Sequence, residues 1–140
     1  MTQLFDQIKR HEGFSATVYT CPAGKLTIGY GRNLIDKGIS KVEANQMLYN
    51  DLYDIEMELL RRVHCFEKLD RVRRDVLINM AFNLGVNGLL NFKKMMAAVN
   101  DGYFELAAKE MLDSKWAKQV GNRALELSEQ MRTGSYSSLI

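Results

Sequence analysis

The chain has 140 residues, a formal net charge of +2 and an apolar fraction of 46%, enough for one compact core or two small lobes and too apolar for a disordered chain. No apolar run approaches the roughly 18 to 20 residues that span a membrane, and the charge is too small to mark a nucleic-acid-binding protein. Two cysteines, Cys21 and Cys65, are too few for a disulfide framework and read as free thiols.

The opening MTQLFDQ carries an acid where a secretory signal needs a basic start and an apolar block, which points to synthesis in the cytoplasm. Over residues 2–11, Leu4, Phe5 and Ile8 have helical spacing, with Thr2 as the expected N-cap and Glu12 at the helix end. Gly13 supplies the stop. Phe14, Ala16 and Val18 then alternate with Ser15, Thr17 and Tyr19, which predicts a strand with its apolar side covered. Pro22 and Gly24 mark a turn, and Leu26, Ile28 and Tyr30 predict the returning strand. This hairpin gathers a carboxyl, a thiol and a hydroxyl, those of Glu12, Cys21 and Thr27, around one cleft.

Residues 32–38 read as a polar connection. Ser40 and Glu43 form an S-x-x-E capping box, opening a helix from Lys41 to about Arg62 with an apolar stripe of Ala44, Leu48, Leu52, Ile55, Leu59 and Val63. Asp70 is the expected N-cap of RVRRDVLINMAFNLG, which is nearly apolar all round beyond its first turn and therefore reads as a core helix ending at Gly85. Arg71, Arg73 and Arg74 in that first turn read as a solvated face, placed against the helix dipole. Gly88, Asp101-Gly102, Gly121 and Gly134 divide the rest into helical pieces at 89–99 and 103–112, a turn or helix around Trp116, and a helix at 122–131. Residues 135–140 are expected to fray. His11, His64 and Cys65 lack metal-ligand spacing, so no metal site is expected, and no cofactor.

Several of these stretches, in order, resemble the phage-type lysozymes, the endolysins that cut peptidoglycan. The family's active-site segment runs Glu, eight residues, Asp or occasionally Cys, five residues, Thr, and then a Gly-rich strand end. This chain has Glu12, Cys21 and Thr27 at those intervals, followed by IGYG at 28–31. LDRVRRDVLINMAFNLG resembles the family's central helix, DSKWAKQVGNRA its substrate-facing segment and MRTGSY its usual ending. The resemblance implies an α+β, mostly helical, two-lobed lysozyme-like fold in a single domain. Its parts are a small N-terminal lobe of helix and β-hairpin at 1–39, a long connecting helix at 40–63 and a helical lobe at 64–140. The connection between hairpin and capping box is short for the family, so a reduced sheet is expected.

The implied activity is hydrolysis of the β-1,4 bond between N-acetylmuramic acid and N-acetylglucosamine. Glu12 is the implied general acid, held by Asn79 and Arg123. Such an acid depends on desolvation to keep its proton near neutrality, and an adjacent Arg opposes that. Cys21 stands where most members carry Asp, the base or positioner of the attacking water, which Thr27 helps to place. A thiol of ordinary pKa, about 8.5, is only a few per cent ionised at neutral pH unless Lys25 or Arg32 lowers it. Cys21 therefore stays open between base, nucleophile and bystander, the last including a small buried residue packing the turn.

On helical spacing alone Trp116 reads as core. The resemblance instead puts it at the cleft rim, with Asn83, Lys115 and Gln119 as further contacts to the glycan and its peptide. Members often have Gln and Arg where Asn83 and Lys115 stand, so reach and a bidentate fork are reduced. Arg32 stands where His is common, and a different ion pair to the long helix is expected there. The implied partner is bacterial peptidoglycan, an acidic polymer through the carboxylates of its peptides. A monomer is expected, with no nucleic-acid partner and no membrane span, held in the host cytoplasm until release to the wall. The rival reading is a peptidoglycan-binding protein of the same fold with weak or lost catalysis, because Asp is absent.

Overall fold

The structure is a computed structural model and describes residues 1–136. The fold is α+β, with a three-stranded antiparallel sheet near the N-terminus and eight α-helices among the described residues. The backbone divides into two compact units, Met1–Met47 and the part from Leu48 onward.

In the first unit, α1 spans Thr2–Glu12. Thr2 lies inside this helix instead of capping it. Met1 is the N-cap, its carbonyl accepting from the Phe5 amide at 2.8 Å, with no side-chain cap. The helix ends as expected at Gly13, whose φ of 72° turns the chain away while its N–H still donates to the Lys9 carbonyl at 2.9 Å. β1 (Ser15–Thr20) pairs with β2 (Leu26–Gly29), which pairs with β3 (Arg32–Asn33). β3 falls in the stretch read as a polar connection, because two residues are too short to show a period.

The covered side of β1 is the opposite of the one expected from its alternation. Phe14 and Val18 are 67% and 50% exposed, whereas Ser15 and Tyr19 are half-buried and Thr27, the partner of Tyr19, is only 3% exposed. The register shifts between Ser15 and Tyr19, so a simple period of two does not survive along the strand. Phe14 instead meets the Tyr30 ring, 5.4 Å between centroids. Thr27 is the single buried residue of 1–47. This unit is therefore held by backbone pairing, ring contacts and ion pairs rather than by a core.

The strongest of those ion pairs joins β3 to α2, which spans Lys41–Arg62. Arg32 grips Glu43 with both terminal nitrogens, at 2.9 and 2.5 Å, and also donates to the Gly38 carbonyl at 3.0 Å. Glu43 simultaneously closes the capping box, accepting from the Ser40 amide at 2.8 Å while its own amide donates to Ser40 Oγ at 3.1 Å. The guanidinium of Arg32, and then the Ser40 amide, hold the Glu43 carboxyl down at about 2.

In the second unit the core is built around α3 (Arg71–Leu84), capped as expected by the Asp70 side chain, which accepts from the Arg73 amide at 3.1 Å. Val76, Leu77 and Met80 are fully buried and pack with Leu59, Phe66, Met111 and Met131, each such side chain contributing about 1.5 to 3 kcal/mol. Phe82, expected inside, is exposed. A single 3-10 turn at Phe66–Lys68 precedes α3 and drops Phe66 into the core. Beyond Gly85 come α4 (Val86–Leu90), α5 (Lys93–Asn100), α6 (Phe104–Leu112), α7 (Lys115–Val120) and α8 (Asn122–Thr133).

Two further expectations are corrected here. The piece read as one helix over 89–99 is two, interrupted at Asn91-Phe92, and Gly88 lies within α4 rather than dividing helices. A methyl group at Gly88 would come 2.9 Å from Leu84 Cβ, so the residue serves close packing against the end of α3. The arginines of α3 are also not a solvated face. Arg73 donates to the Met131 and Arg132 carbonyls at 2.7 and 3.0 Å, pairs with Asp70 at 3.1 Å and lies 3.7 Å over the Phe104 ring. Arg74 donates to the carbonyls of Leu69 and Glu67, and Arg71 pairs with Glu56 and Asp75. Free carbonyls at nearby chain ends supply partners that sequence spacing does not display.

Of the ending expected to fray, Ser135 and Tyr136 are tied down, the Ser135 amide to Thr133 Oγ1 and the Tyr136 hydroxyl to Asp75. Residues 137–140 lie outside the described residues. Among the described residues no helix is long and apolar enough to cross a membrane.

Candidate active site

The hairpin turn fixes Cys21. Its amide donates to the Lys25 carbonyl at 2.9 Å, and the Gly24 amide donates to the Cys21 carbonyl at 2.8 Å. Pro22 sits at the first central position, no non-glycine residue has positive φ among the described residues, and Gly24 takes φ 81°. This is a type I turn followed by a left-handed glycine, the common three-residue hairpin loop. Its consequence is chemical. The backbone N–H of Lys25 is the main influence drawing the Cys21 thiol below its ordinary range, joined by the Ala23 N–H and the Thr27 hydroxyl, while partial burial pulls the other way. Sequence reasoning looked to the charges of Lys25 and Arg32 for this effect. They are engaged elsewhere, Lys25 with Asp36 at 3.5 Å and Arg32 with Glu43.

Thr27 is buried beside that sulfur, with its hydroxyl donating to the Lys25 carbonyl at 2.9 Å. The structure thus brings Cys21, in the turn just past β1, next to Thr27 on β2. Glu12, at the end of α1 and exposed, has its carboxyl against the turn joining β2 to β3. A methyl group at Gly31 would lie 2.6 Å from Glu12 Oε2, so Gly31, at φ 78°, leaves the carboxyl room to lie on the backbone. Sequence reading noticed the IGYG run without seeing this contact. The two glycines were the signal.

In the second unit Arg123 and Asn79 are brought together. Arg123 Nε and Nη2 donate to Asn79 Oδ1 at 3.0 and 2.7 Å, and Nη2 reaches the Asn79 carbonyl at 3.3 Å. Both line a cavity of about 620 Å³ with Ile78, Phe82 and Leu127. The implied glycan contacts also cluster. The Trp116 indole N–H donates to Asn83 Oδ1 at 2.8 Å, and its ring meets Phe92 edge-on at 6.0 Å. Trp116 is only 4% exposed and belongs to the core, yet it lines a second cavity of about 570 Å³ together with Lys115 and Gln119. Ser114 caps α7, accepting from the Ala117 amide at 3.1 Å, and so sets where Lys115 and Trp116 begin their helix. Phe92, Lys93 and Lys94 share this cavity and were missed. Nothing in a pair of lysines marks the helix start that puts them there.

The model of the phage lysozyme family matches residues 9–132. The chain belongs to that family. Among its curated relatives, "Probable T4-type lysozyme 1" of Dictyostelium discoideum is 34% identical over 73 residues, 52% of this chain and 43% of that protein. The "Pre-baseplate central spike protein Gp5" of Enterobacteria phage T4 is 28% identical across 95% of this chain and 28% of its own length. An "Endolysin" of Acyrthosiphon pisum secondary endosymbiont phage 1 is 29% identical across 82% of this chain and 77% of that protein. The chain thus spans less than half the length of the first two. In this chain the hairpin holds a thiol among backbone amides at position 21.

Proposed function

We propose that this chain is a muramidase that hydrolyses the β-1,4 bond between N-acetylmuramic acid and N-acetylglucosamine in bacterial peptidoglycan. The observation that carries the reading is the family match over residues 9–132, with Glu12, Cys21 and Thr27 at the family's intervals on one helix end and one hairpin. Glu12 donates a proton to the departing glycosidic oxygen, and a bound sugar ring supplies the desolvation that an acid needs to hold that proton. Water, oriented by the Thr27 hydroxyl, attacks the anomeric carbon from the other face and gives its proton to the Cys21 thiolate. Backbone amides of the turn, that of Lys25 foremost, favour that thiolate. Asn79 and Arg123 position Glu12, while Asn83, Lys115, Trp116 and Gln119 contact the glycan and its peptide. The chain acts as a monomer, is held in the host cytoplasm and reaches the wall when the membrane is breached.

The test is release of reducing ends from purified peptidoglycan under reducing conditions. Glu12→Gln abolishes release while leaving the far-ultraviolet circular dichroism unchanged; a Glu12→Gln variant as active as the parent refutes the assignment. Cys21→Asp keeps activity and extends it to lower pH, and Cys21→Ala at full activity removes the thiol from the chemistry. Proton magnetic resonance of the first-formed anomer separates base from nucleophile, since attack by the sulfur itself gives retention.

The second reading, favoured by the absence of a carboxylate at position 21, is a peptidoglycan-binding protein of the same fold with little or no catalysis. Retention on insoluble wall without release of reducing ends supports it.

A further inference from the structure

Resting on the muramidase reading above, we propose that Lys9, Phe14 and Tyr30 position Glu12 for catalysis. The ring of Tyr30, gripped by residues on both sides of Glu12 in sequence, sets the carboxyl against Gly31.

α1 has no buried residue, and among the described residues no backbone hydrogen bond joins it to the sheet. Leu4, Phe5 and Ile8 are exposed. The one residue of α1 that is partly covered is Lys9, the reverse of what a helix held by its apolar side shows. Its ammonium lies 5.2 Å from the Phe5 ring centroid and 5.1 Å from that of Tyr30, both within the roughly 6 Å over which a ring face attracts a cation. Phe5 is one turn away on the same helix, so that contact steadies the lysine stem. The Tyr30 contact ties α1 to the turn between β2 and β3.

A second ring completes the grip. Phe14, on the other side of Glu12, meets Tyr30 with centroids 5.4 Å apart and planes inclined at 49°, within the range of favourable aromatic pairs. The residue after Tyr30 is Gly31, where a methyl group would lie 2.6 Å from Glu12 Oε2 and 3.2 Å from its Cγ. Lys9 and Glu12 are three apart on α1 and therefore neighbours on one helix face. Fixing the lysine over Tyr30 thus fixes where the carboxyl meets the turn. The ammonium makes no ion pair with Glu12 among the described residues. Its charge goes to the rings, and the carboxyl is left to the substrate.

The test variants are Lys9→Met, which keeps an apolar stem and removes the charge, and Tyr30→Leu, which removes the ring. Lys9→Arg and Tyr30→Phe are their conservative counterparts, since a guanidinium also stacks on a ring and the grip uses the Tyr30 ring rather than its hydroxyl. Release of reducing ends from soluble, uncrosslinked peptidoglycan gives kcat and KM. Lys9→Met and Tyr30→Leu lower kcat about three- to tenfold at unchanged KM, the scale of one or two exposed cation–π contacts, and the conservative variants stay within about twofold of the parent. Proton magnetic resonance reads position without turnover. The parent shows a nuclear Overhauser contact from the Glu12 γ-protons to the Gly31 α-protons, which weakens in Lys9→Met and Tyr30→Leu and persists in Lys9→Arg and Tyr30→Phe. Full kcat in Lys9→Met and Tyr30→Leu, or a Glu12–Gly31 contact unchanged in both, overturns the proposal. The resonance measurement also separates this proposal from the reading it rests on. A parent that releases no reducing ends, while its variants lose the contact, removes the muramidase and keeps the grip. An active parent whose variants keep the contact does the reverse.

Discussion

Arg73 offers the sharpest test of how the helical unit is held. Its side chain is only 15% exposed and serves two helices at once. It donates to the last carbonyls of α8 at 2.7 and 3.0 Å and lies over the Phe104 ring of α6 at 3.7 Å. A charged hydrogen bond is worth about 1.5 kcal/mol or more, discounted to about 1 where water can replace the donor at a helix end. Two such bonds and a cation–π contact of about 0.5 to 1 kcal/mol make Arg73→Ala a loss of roughly 3 kcal/mol. With a urea slope of about 2 kcal/mol/M for a chain of this size, the midpoint falls by roughly 1.5 M. Arg73→Lys keeps the charge but serves only one carbonyl and does not stack, so it recovers less than half of the loss. The assay is urea unfolding followed by Trp116 fluorescence, which reports on the same unit. A shift under about 0.3 M for the Ala variant, or a Lys variant equal to the parent, would show that the α8 carbonyls gain nothing from the fork.

Three other outcomes follow from the first unit. Gly31→Ala puts a methyl group 2.6 Å from Glu12 Oε2 at φ 78°, costing about 1 to 2 kcal/mol of stability. It also displaces the carboxyl, with a rate loss of roughly 100-fold if Glu12 is the acid; full activity in a folded Gly31→Ala protein refutes the contact. Glu43 is held down at about 2, so its contribution to stability is complete above the ordinary carboxyl range and is lost as pH falls from about 4.5 toward 2. Thermal melts of the parent and Glu43→Gln therefore differ at pH 7 and converge near pH 2, and a gap independent of pH refutes this. Iodoacetamide labels Cys21 with a pH midpoint below that of a free thiol and leaves Cys65, whose thiol burial pushes up, almost unmodified in the native protein. Equal labelling, read by peptide mass, overturns it.

Helix boundaries were legible where chemistry punctuates the chain. Gly13, the Ser40–Glu43 box, Asp70, Gly85 and Gly134 all act at helix ends as their residue types require. What the sequence hid was mostly long-range. Arg73 reads as an exposed charge until α8, with its free carbonyls, is brought to it across 58 residues of chain. The faces of β1 were misjudged because alternation records polarity, while the covered side carries Thr27, a polar residue kept from water beside the thiol. The lowering of the Cys21 pKa was sought in side-chain charges and lies in turn amides, which every residue owns and no sequence displays. Of the candidate residues, the hairpin reading put Cys21 near Thr27, where the structure has them, but Lys93 and Lys94 became visible only through the cavity they line.

The double engagement of Glu43 also bears on how Met1–Met47 forms. Opening a helix is the slow part of making one, because several dihedral angles are fixed before the first bond is gained. Here the residue that fixes the opening turn of α2 is gripped by Arg32 of β3, so strand closure brings the nucleating side chain with it. Neither element gains its full stability alone. Sheet and helix start in this unit are thus coupled in stability, and a substitution at Arg32 weakens both together.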